Sequence, residues 1–392
     1  MLYIRDKYLK KIEPYMGKEI IKVLVGQRRV GKSKLLQMIK DKIVQDGGDQ
    51  DQILFLNMED LGNEKYRDYQ QFYKYAQKFK RILVDEVQNI ERWEEAILSL
   101  WTKWKDVYLT WSNSQLLSSE IATKLRWRYI QFEIFPFDRR EFIDAFESQP
   151  TKDVFLKYIR WGGLPYLLHL PKEDEIIFEY LQWVFSATLL KDVVERYKVR
   201  NTYLLEKLVI YLASNVGNIF SARKIASFLA SQRIKISTAT VVQYLWFLQN
   251  VFLIKQIKRR DISSKSIFEV KEKYFFNDVG IRNAIVGGFF GKDISGILEN
   301  IVAINLLSNG RKVFVGELDG KEVDFVAQKE WKKIYVQVAY LLPDTKTGER
   351  EFGNLLKIKD SWPKYVVSMD DVASWSVEGV RWLPVWEFLM KV

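Results

Sequence analysis

Residues 26 to 33 read Gly26-Gln27-Arg28-Arg29-Val30-Gly31-Lys32-Ser33, the spacing G-x-x-x-x-G-K-S. Few strings of this length restrict a fold as tightly, because this one needs a strand before it and a helix after it. Both are present: Ile20-Ile21-Lys22-Val23-Leu24-Val25 is a short run rich in β-branched residues, and Leu35 to Ile43 carries apolar residues at helical spacing. Gly26 and Gly31 let the backbone curl so that successive N–H groups face phosphate oxygens, and the helix N-terminus adds partial positive charge. Gly26, Gln27, Arg28, Arg29, Val30, Gly31, Lys32, Ser33 and Lys34 are therefore the expected nucleotide-binding residues. Lys32 is placed to reach the β- and γ-phosphates of ATP, and the Ser33 hydroxyl to ligate Mg²⁺.

A loop of this kind needs acidic partners on a neighbouring strand. Arg81-Ile82-Leu83-Val84-Asp85-Glu86 is an apolar run ending in two carboxylates. Asp85 is the expected second Mg²⁺ residue, and Glu86 the group that polarises the attacking water. Further strands are expected at Gln52–Met58, Val107–Ser114 and Tyr129–Ile134, with helices from about Lys65 to Phe79 and along Trp93, Ala96, Ile97, Leu100, Trp101 and Trp104. Alternation of this kind implies a mostly parallel sheet whose ligands sit at the carboxyl ends of its strands. Ser112-Asn113-Ser114 falls at such an end, so Asn113 is a candidate sensor of the γ-phosphate. Arg126 and Arg128 are candidate stabilisers of the transition state, with ordinary surface arginines as the alternative.

At 392 residues the chain exceeds one ordinary domain. It has no cysteine and a single histidine, His169, which excludes disulfides, thiolate zinc sites and a Cys nucleophile. No apolar run reaches the ~20 residues that span a bilayer, and the first residues lack a signal-peptide layout, so a cytoplasmic location and no membrane partner are expected. The net charge is +11. From Ser221 to Lys273 there are eleven Lys or Arg against three acids, so most of that surplus lies in one stretch. The same stretch reads as helix, turn, helix, strand, with Ser221 and Ser237 as caps, which is the order of a winged helix-turn-helix. Contact with double-stranded DNA is expected there, with Lys258-Arg259-Arg260 near a hairpin binding phosphates. A winged helix used for a protein partner or self-association, with a solvated basic face, is the alternative.

Taken together, residues 26–33, Ile82 to Glu86, Ser112-Asn113-Ser114, Pro136-Phe137 with Glu141-Phe142, and Gly162-Gly163-Leu164-Pro165 resemble the bacterial and archaeal AAA-type ATPases with a C-terminal domain of unknown function. Trp111 departs from that pattern, which usually has Gly there. The resemblance covers nearly the whole chain. It implies an α/β P-loop ATPase core, a winged-helix segment and an α+β C-terminal fold similar to restriction endonucleases. The expected domains are residues 1–150, 151–265 and 266–392. In the last, Glu299, Asp324 and the strand Ile334–Ala339 resemble a nuclease core, but Gln337 and Ala339 stand where Glu and Lys would be needed. The expected activity is thus ATP hydrolysis coupled to conformational change, without nuclease activity. A slow nucleotide-gated switch and an ATP-regulated nuclease are the alternatives.

Overall fold

The structure, a computed structural model, describes residues 3–113, 125, 128–267, 272–288, 291–342, 345–371 and 375–392. Two compact units emerge: one comprises the chain up to Phe135 together with Asn250–Phe252, the other Pro136–Gln249 with Leu253–Val392. The candidate residues Ser114 and Arg126 lie outside the described residues. Among the described residues, no helix is long and apolar enough to cross a membrane.

The first unit runs α1 (Asp6–Ile12), β1 (Ile21–Val25), α2 (Lys32–Gln45), β2 (Ile53–Asn57), α3 (Tyr69–Ala76), β3 (Arg81–Asp85), α4 (Trp93–Trp101), β4 (Asp106–Trp111) and β5 (Tyr129–Glu133). All five strands are parallel, in the order β2-β3-β4-β1-β5. Every residue of β1 and β4 is buried, as expected of strands covered on both faces. Val23, Val25, Val84 and Leu109 share a core with Phe72, Ala96, Ile97, Leu100 and Phe252. Trp111, the departure noted in the sequence, meets Trp93 edge to face at 5.0 Å, so its bulk fills this core. Two local expectations change. The stretch before α3 is a 3₁₀ turn at Leu61–Arg67, because Asp68 caps the helix through the Gln71 N–H. Trp104 lies beyond the end of α4, with φ of 61° and its ring largely exposed.

The second unit begins with α5 (Arg139–Ala145), α6 (Lys152–Trp161), α7 (Asp174–Ala187), a π-helical continuation at Thr188–Glu195, and α8 (Thr202–Ser214). The Gly162-Gly163 break is a close-packing device: a Cβ on Gly163 would lie 2.2 Å from the Phe137 carbonyl oxygen. The Gly163 N–H donates instead to buried Asp278 at 2.8 Å. Next come β6 (Ile219–Phe220), α9 (Ala222–Ser231), α10 (Thr238–Asn250), β7 (Ile254–Ile257), β8 (Arg259–Asp261), β9 (Glu272–Phe276) and α11 (Val279–Ile285). Ser221 and Ser237 accept from the N–H groups of Lys224 and Thr240, as caps should. The unit ends with α12 (Ile294–Ser308), β10 (Lys312–Leu318), β11 (Lys321–Lys329), β12 (Lys332–Val338), α13 (Thr345–Leu356), β13 (Lys364–Ser368), β14 (Trp375–Val377), β15 (Val380–Pro384) and α14 (Val385–Lys391). These strands form a mixed sheet, β14-β15-β13-β12-β11-β10-β8, beside a small antiparallel one, β6-β9-β7.

One buried charge anchors the amino-terminal edge of the parallel sheet. Lys22, fully buried in β1, pairs with Asp106 of β4 and lies 4.5 Å from the centre of the Tyr108 ring. Burial pushes its ammonium down from the ordinary lysine range, while Asp106 opposes that shift. Asp106 also accepts from the Tyr108 hydroxyl at 3.0 Å and the Gly17 N–H at 3.1 Å. Asp106→Ala should therefore lower the stability of this unit by about 3–5 kcal/mol, since it strands a buried ammonium. Hydrogen exchange of the β1 and β4 amides checks this. Adding Lys22→Met to Asp106→Asn should recover most of the loss.

Candidate active site

Register places the pieces. Val25 lies opposite Trp111 in β4, and Asn57 opposite Asp85, so the carboxyl ends of β1, β3 and β4 are level. The chain turns at Gly26, where a Cβ would lie 2.3 Å from the Ile134 carbonyl oxygen; no other residue type fits. Gly31, at φ 91°, immediately precedes α2. Arg5 braces the loop: its Nη1 donates to the carbonyls of Val30 at 3.0 Å and Phe135 at 2.9 Å. Within the loop, Gln27, Val30 and Lys32 are buried, while Arg29, Ser33 and Lys34 face solvent. The Lys32 ammonium folds back onto the carbonyl oxygens of Gly26 at 2.9 Å and Gln27 at 3.0 Å.

The two carboxylates beside the loop are split by their surroundings. Burial pushes the Asp85 carboxyl above its ordinary range, against hydrogen bonds from the Thr110 and Ser33 hydroxyls. Burial also acts on Glu86, but the Lys32 ammonium, the Ser112 hydroxyl and the Gln88 carboxamide hold it below its ordinary value. Ser112 Oγ donates to Glu86 Oε1 at 2.6 Å, and Gln88 Nε2 donates to Oε2. Glu86 itself sits at φ 53°, ψ 54°, a left-handed conformation uncommon for a residue with a side chain. Thr110 joins the pair: its hydroxyl donates to Asp85 Oδ1 and accepts from the Glu86 N–H at 2.8 Å. Ser33 and Asp85 offer a hydroxyl and a carboxylate in mutual contact, the hard oxygen donors that Mg²⁺ takes. This donor set fits the ion.

Of the other candidates, Asn113 is fully buried just past β4, beside the strand that leads into the loop. Arg128 is a correction. It precedes β5, whose Tyr129 pairs with Ile21, at the end of the sheet opposite the loop. Five residues of strand, about 16 Å, separate the two ends. Its guanidinium lies 4.0 Å from the centre of the Trp101 ring, a packing role. Arg5, Thr110 and Gln88 were missed by sequence reasoning, as was the role of Ser112 beside Glu86. The first two carry no motif, and the last two gain meaning only once the strand ends are aligned.

The basic stretch also reads differently in three dimensions. The triplet Lys258-Arg259-Arg260 lies in the connection between the paired strands β7 and β9, but Arg259 and Arg260 belong to β8, which joins the edge of the larger sheet beside β10. Arg259 pairs with Glu317, and Arg260 lies 5.1 Å from the centre of the Phe314 ring. Lys273 is buried among carboxylates. Arg223, Lys224, Arg233 and Lys235 are exposed around α9 and the turn before α10. In the C-terminal sheet, Glu299 lies on α12, Asp324 on β11 and Gln337 on β12. Gln337 Oε1 accepts from the Asp324 N–H at 3.3 Å.

Residues 18–143 match the family model of an AAA domain, and residues 152–290 that of a domain of unknown function (DUF8612). The chain is 34% identical over 400 residues to an uncharacterized protein of Haemophilus influenzae, a match covering 99% of this chain and 98% of the relative. It is 31% identical over 354 residues to the uncharacterized protein MJ1544 of Methanocaldococcus jannaschii, covering 84% of this chain and 77% of the relative. Among solved structures, a Walker-type ATPase of Pyrococcus abyssi aligns with a TM-score of 0.52 at 15% identity, covering 72% of this chain and 96% of that one. At that identity the likeness speaks for the fold.

The Thr110 bridge yields a prediction independent of any ligand. Thr110→Val keeps the shape but leaves the buried Glu86 N–H without its acceptor, at a cost of about 1–3 kcal/mol. Hydrogen exchange at the Glu86 amide should accelerate by about tenfold or more, and Thr110→Ser should restore it.

Proposed function

The chain belongs to the family of these two relatives, P-loop ATPases with an AAA domain, and from that premise we propose that it binds and hydrolyses ATP with Mg²⁺, in a cycle coupled to conformational change and to duplex DNA. The observation that carries the ATPase reading is the meeting of Lys32, Asp85 and Glu86 at one strand edge, the two carboxylates having pKa values shifted in opposite directions. Groups tuned apart in this way suit an ion-holding residue beside a base. Lys32 exchanges the carbonyls of Gly26 and Gln27 for phosphate oxygens. Ser33 and Asp85 would hold Mg²⁺, which supplies positive charge against the phosphates. Glu86, kept ionised by Lys32, takes the proton of the attacking water, while Ser112 and Gln88 fix its direction. Asn113 is the residue we assign to the γ-phosphate.

Lys32→Ala should weaken ATP binding by about tenfold or more, as expected for loss of a charged hydrogen bond, and abolish turnover. Glu86→Gln should bind ATP like the parent yet turn over about 10²- to 10⁴-fold more slowly. Equilibrium binding of a fluorescent ATP analogue and steady-state phosphate release check both. Parent-like turnover in either variant sinks the reading.

For DNA, support comes from the layout of helices α9 and α10 against the antiparallel sheet β6-β9-β7, the arrangement of a winged helix. The exposed cations around that pair of helices are Arg223, Lys224, Arg233 and Lys235. Replacing all four with Gln should weaken duplex binding and lower its salt slope by up to about 0.9 for each phosphate no longer neutralised. A parent protein with no salt-dependent duplex affinity removes this part of the proposal. A second reading, docking against a protein, has its own observation: Val242 and Trp246 stand 54% and 46% exposed on α10. Loss of DNA binding in Trp246→Ala would favour the groove-facing helix. Unchanged binding would leave that face to a protein.

A further inference from the structure

The second unit holds a cavity of about 1010 Å³ walled by α12, β11, β12 and α13. Four carboxylates line it, and three of them converge on one lysine; the fourth, Glu351 of α13, is 5% exposed. Glu322 and Asp324 stand two residues apart on β11 and so share a face of the sheet, and Glu299 joins them from α12. Lys273, from β9, reaches all three. Its Nζ lies 2.7 Å from Glu299 Oε2, 2.6 Å from Glu322 Oε1 and 3.5 Å from Asp324 Oδ1. The Lys273 side chain is 3% exposed, and those of Asp324 and Glu299 are 7% and 12% exposed. The second Asp324 oxygen accepts from the Val338 N–H at 2.8 Å.

Carboxylates held this close need a cation, since each loses hydration and repels the others; Glu299 and Asp324 are buried here, and Glu322 is 29% exposed. Such a trio of hard oxygens ordinarily suits a divalent ion. Here one ammonium, tethered to the backbone, touches all three acids. We propose that Lys273 is the resident cation of this cavity: its ammonium stands where Glu299, Glu322 and Asp324 would otherwise hold a divalent ion, so removing the lysine uncovers a metal site. The proposal does not rest on the ATPase reading. The electrostatics agree with it. Burial, with the Asp324 charge, pushes Glu299 up to about 8, and burial raises Asp324 to about 6, with Glu322 and Glu351 adding to the rise. The same carboxylates hold Lys273 firmly protonated against its own burial. Gln337 and Ala339, which line the cavity, add no charge, and the other lining cations, Lys321 and Lys357, are exposed.

The test is Mn²⁺ uptake by the nucleotide-free full chain, followed by electron paramagnetic resonance of the free ion. Wild type should take up no more Mn²⁺ than Asp324→Asn. Lys273→Met should take up one additional ion per chain, lost again in Lys273→Met/Asp324→Asn, and Mn²⁺ should raise its melting temperature more than that of wild type. Should Lys273→Met fail to fold, either Mn²⁺ in the refolding buffer or the added changes Glu299→Gln and Glu322→Gln must rescue it. Failure of both overturns the proposal. So does wild-type Mn²⁺ uptake, or Mn²⁺-dependent DNA cleavage, that Asp324→Asn abolishes. A folded Lys273→Met that takes up no extra ion is equally decisive against it.

Discussion

The parallel pairing of β1 between β4 and β5 is the constraint on which the nucleotide site depends. A strand buried on both faces has one register that satisfies its neighbours' hydrogen bonds and apolar faces together. That register puts Val25 beside Trp111 and Glu133, and the chain must then turn at once under the Ile134 carbonyl, where only a glycine fits. The Lys32 ammonium, the carboxyl end of β3 and the polar tip of β4 arrive at one edge because three strands end level. The chemistry is thus largely a by-product of sheet packing: besides its glycines, only Arg29 and Glu86 in the site take a left-handed path, and the Glu86 backbone is held by the Thr110 hydroxyl.

The same geometry explains what could be read from the sequence. Strand and helix positions in the first unit followed from apolar periodicity, and the loop from its glycines, because both signals are local. Arg128 was misread because composition says nothing about which end of a strand a residue occupies. Only the Ile21–Tyr129 pairing shows that it lies at the far edge. That Arg259 and Arg260 join the edge of the larger sheet was not legible, because a charge count cannot tell which sheet a three-residue strand will join. Lys273 added to the basic surplus as a number, yet it is buried among acids from elements up to 51 positions away. Thr110 and Arg5 left no trace in the sequence, since a hydroxyl or guanidinium becomes informative only when a backbone partner faces it.

Two buried lysines show how differently one side chain can be used. Lys22 sits in an apolar strand with one carboxylate, and burial depresses its ammonium. Lys273 sits among three carboxylates, which more than offset the same penalty. The difference lies in the number of partners rather than in depth, consistent with buried ion pairs being stabilising only when their counter-charges are well placed. Lys32 is a third case, bonded to neutral carbonyl oxygens that a phosphate could displace at little cost.

The small excursion at Asn250–Phe252 bears on how this protein can be divided. The chain leaves the first unit at Phe135, yet Phe252, 2% exposed and at φ 57°, fills that unit's core more than a hundred residues later. A gene fragment ending anywhere between Phe135 and Asn250 would encode the whole parallel sheet and still lack one of its core rings. The hole left by a missing phenyl group costs roughly 3–5 kcal/mol in a close-packed interior, a large share of what holds any single domain folded. The nucleotide-site half is therefore no detachable cassette. Recombination that transplants it into another protein must carry a distant tripeptide along, which ties the inheritance of the two halves together.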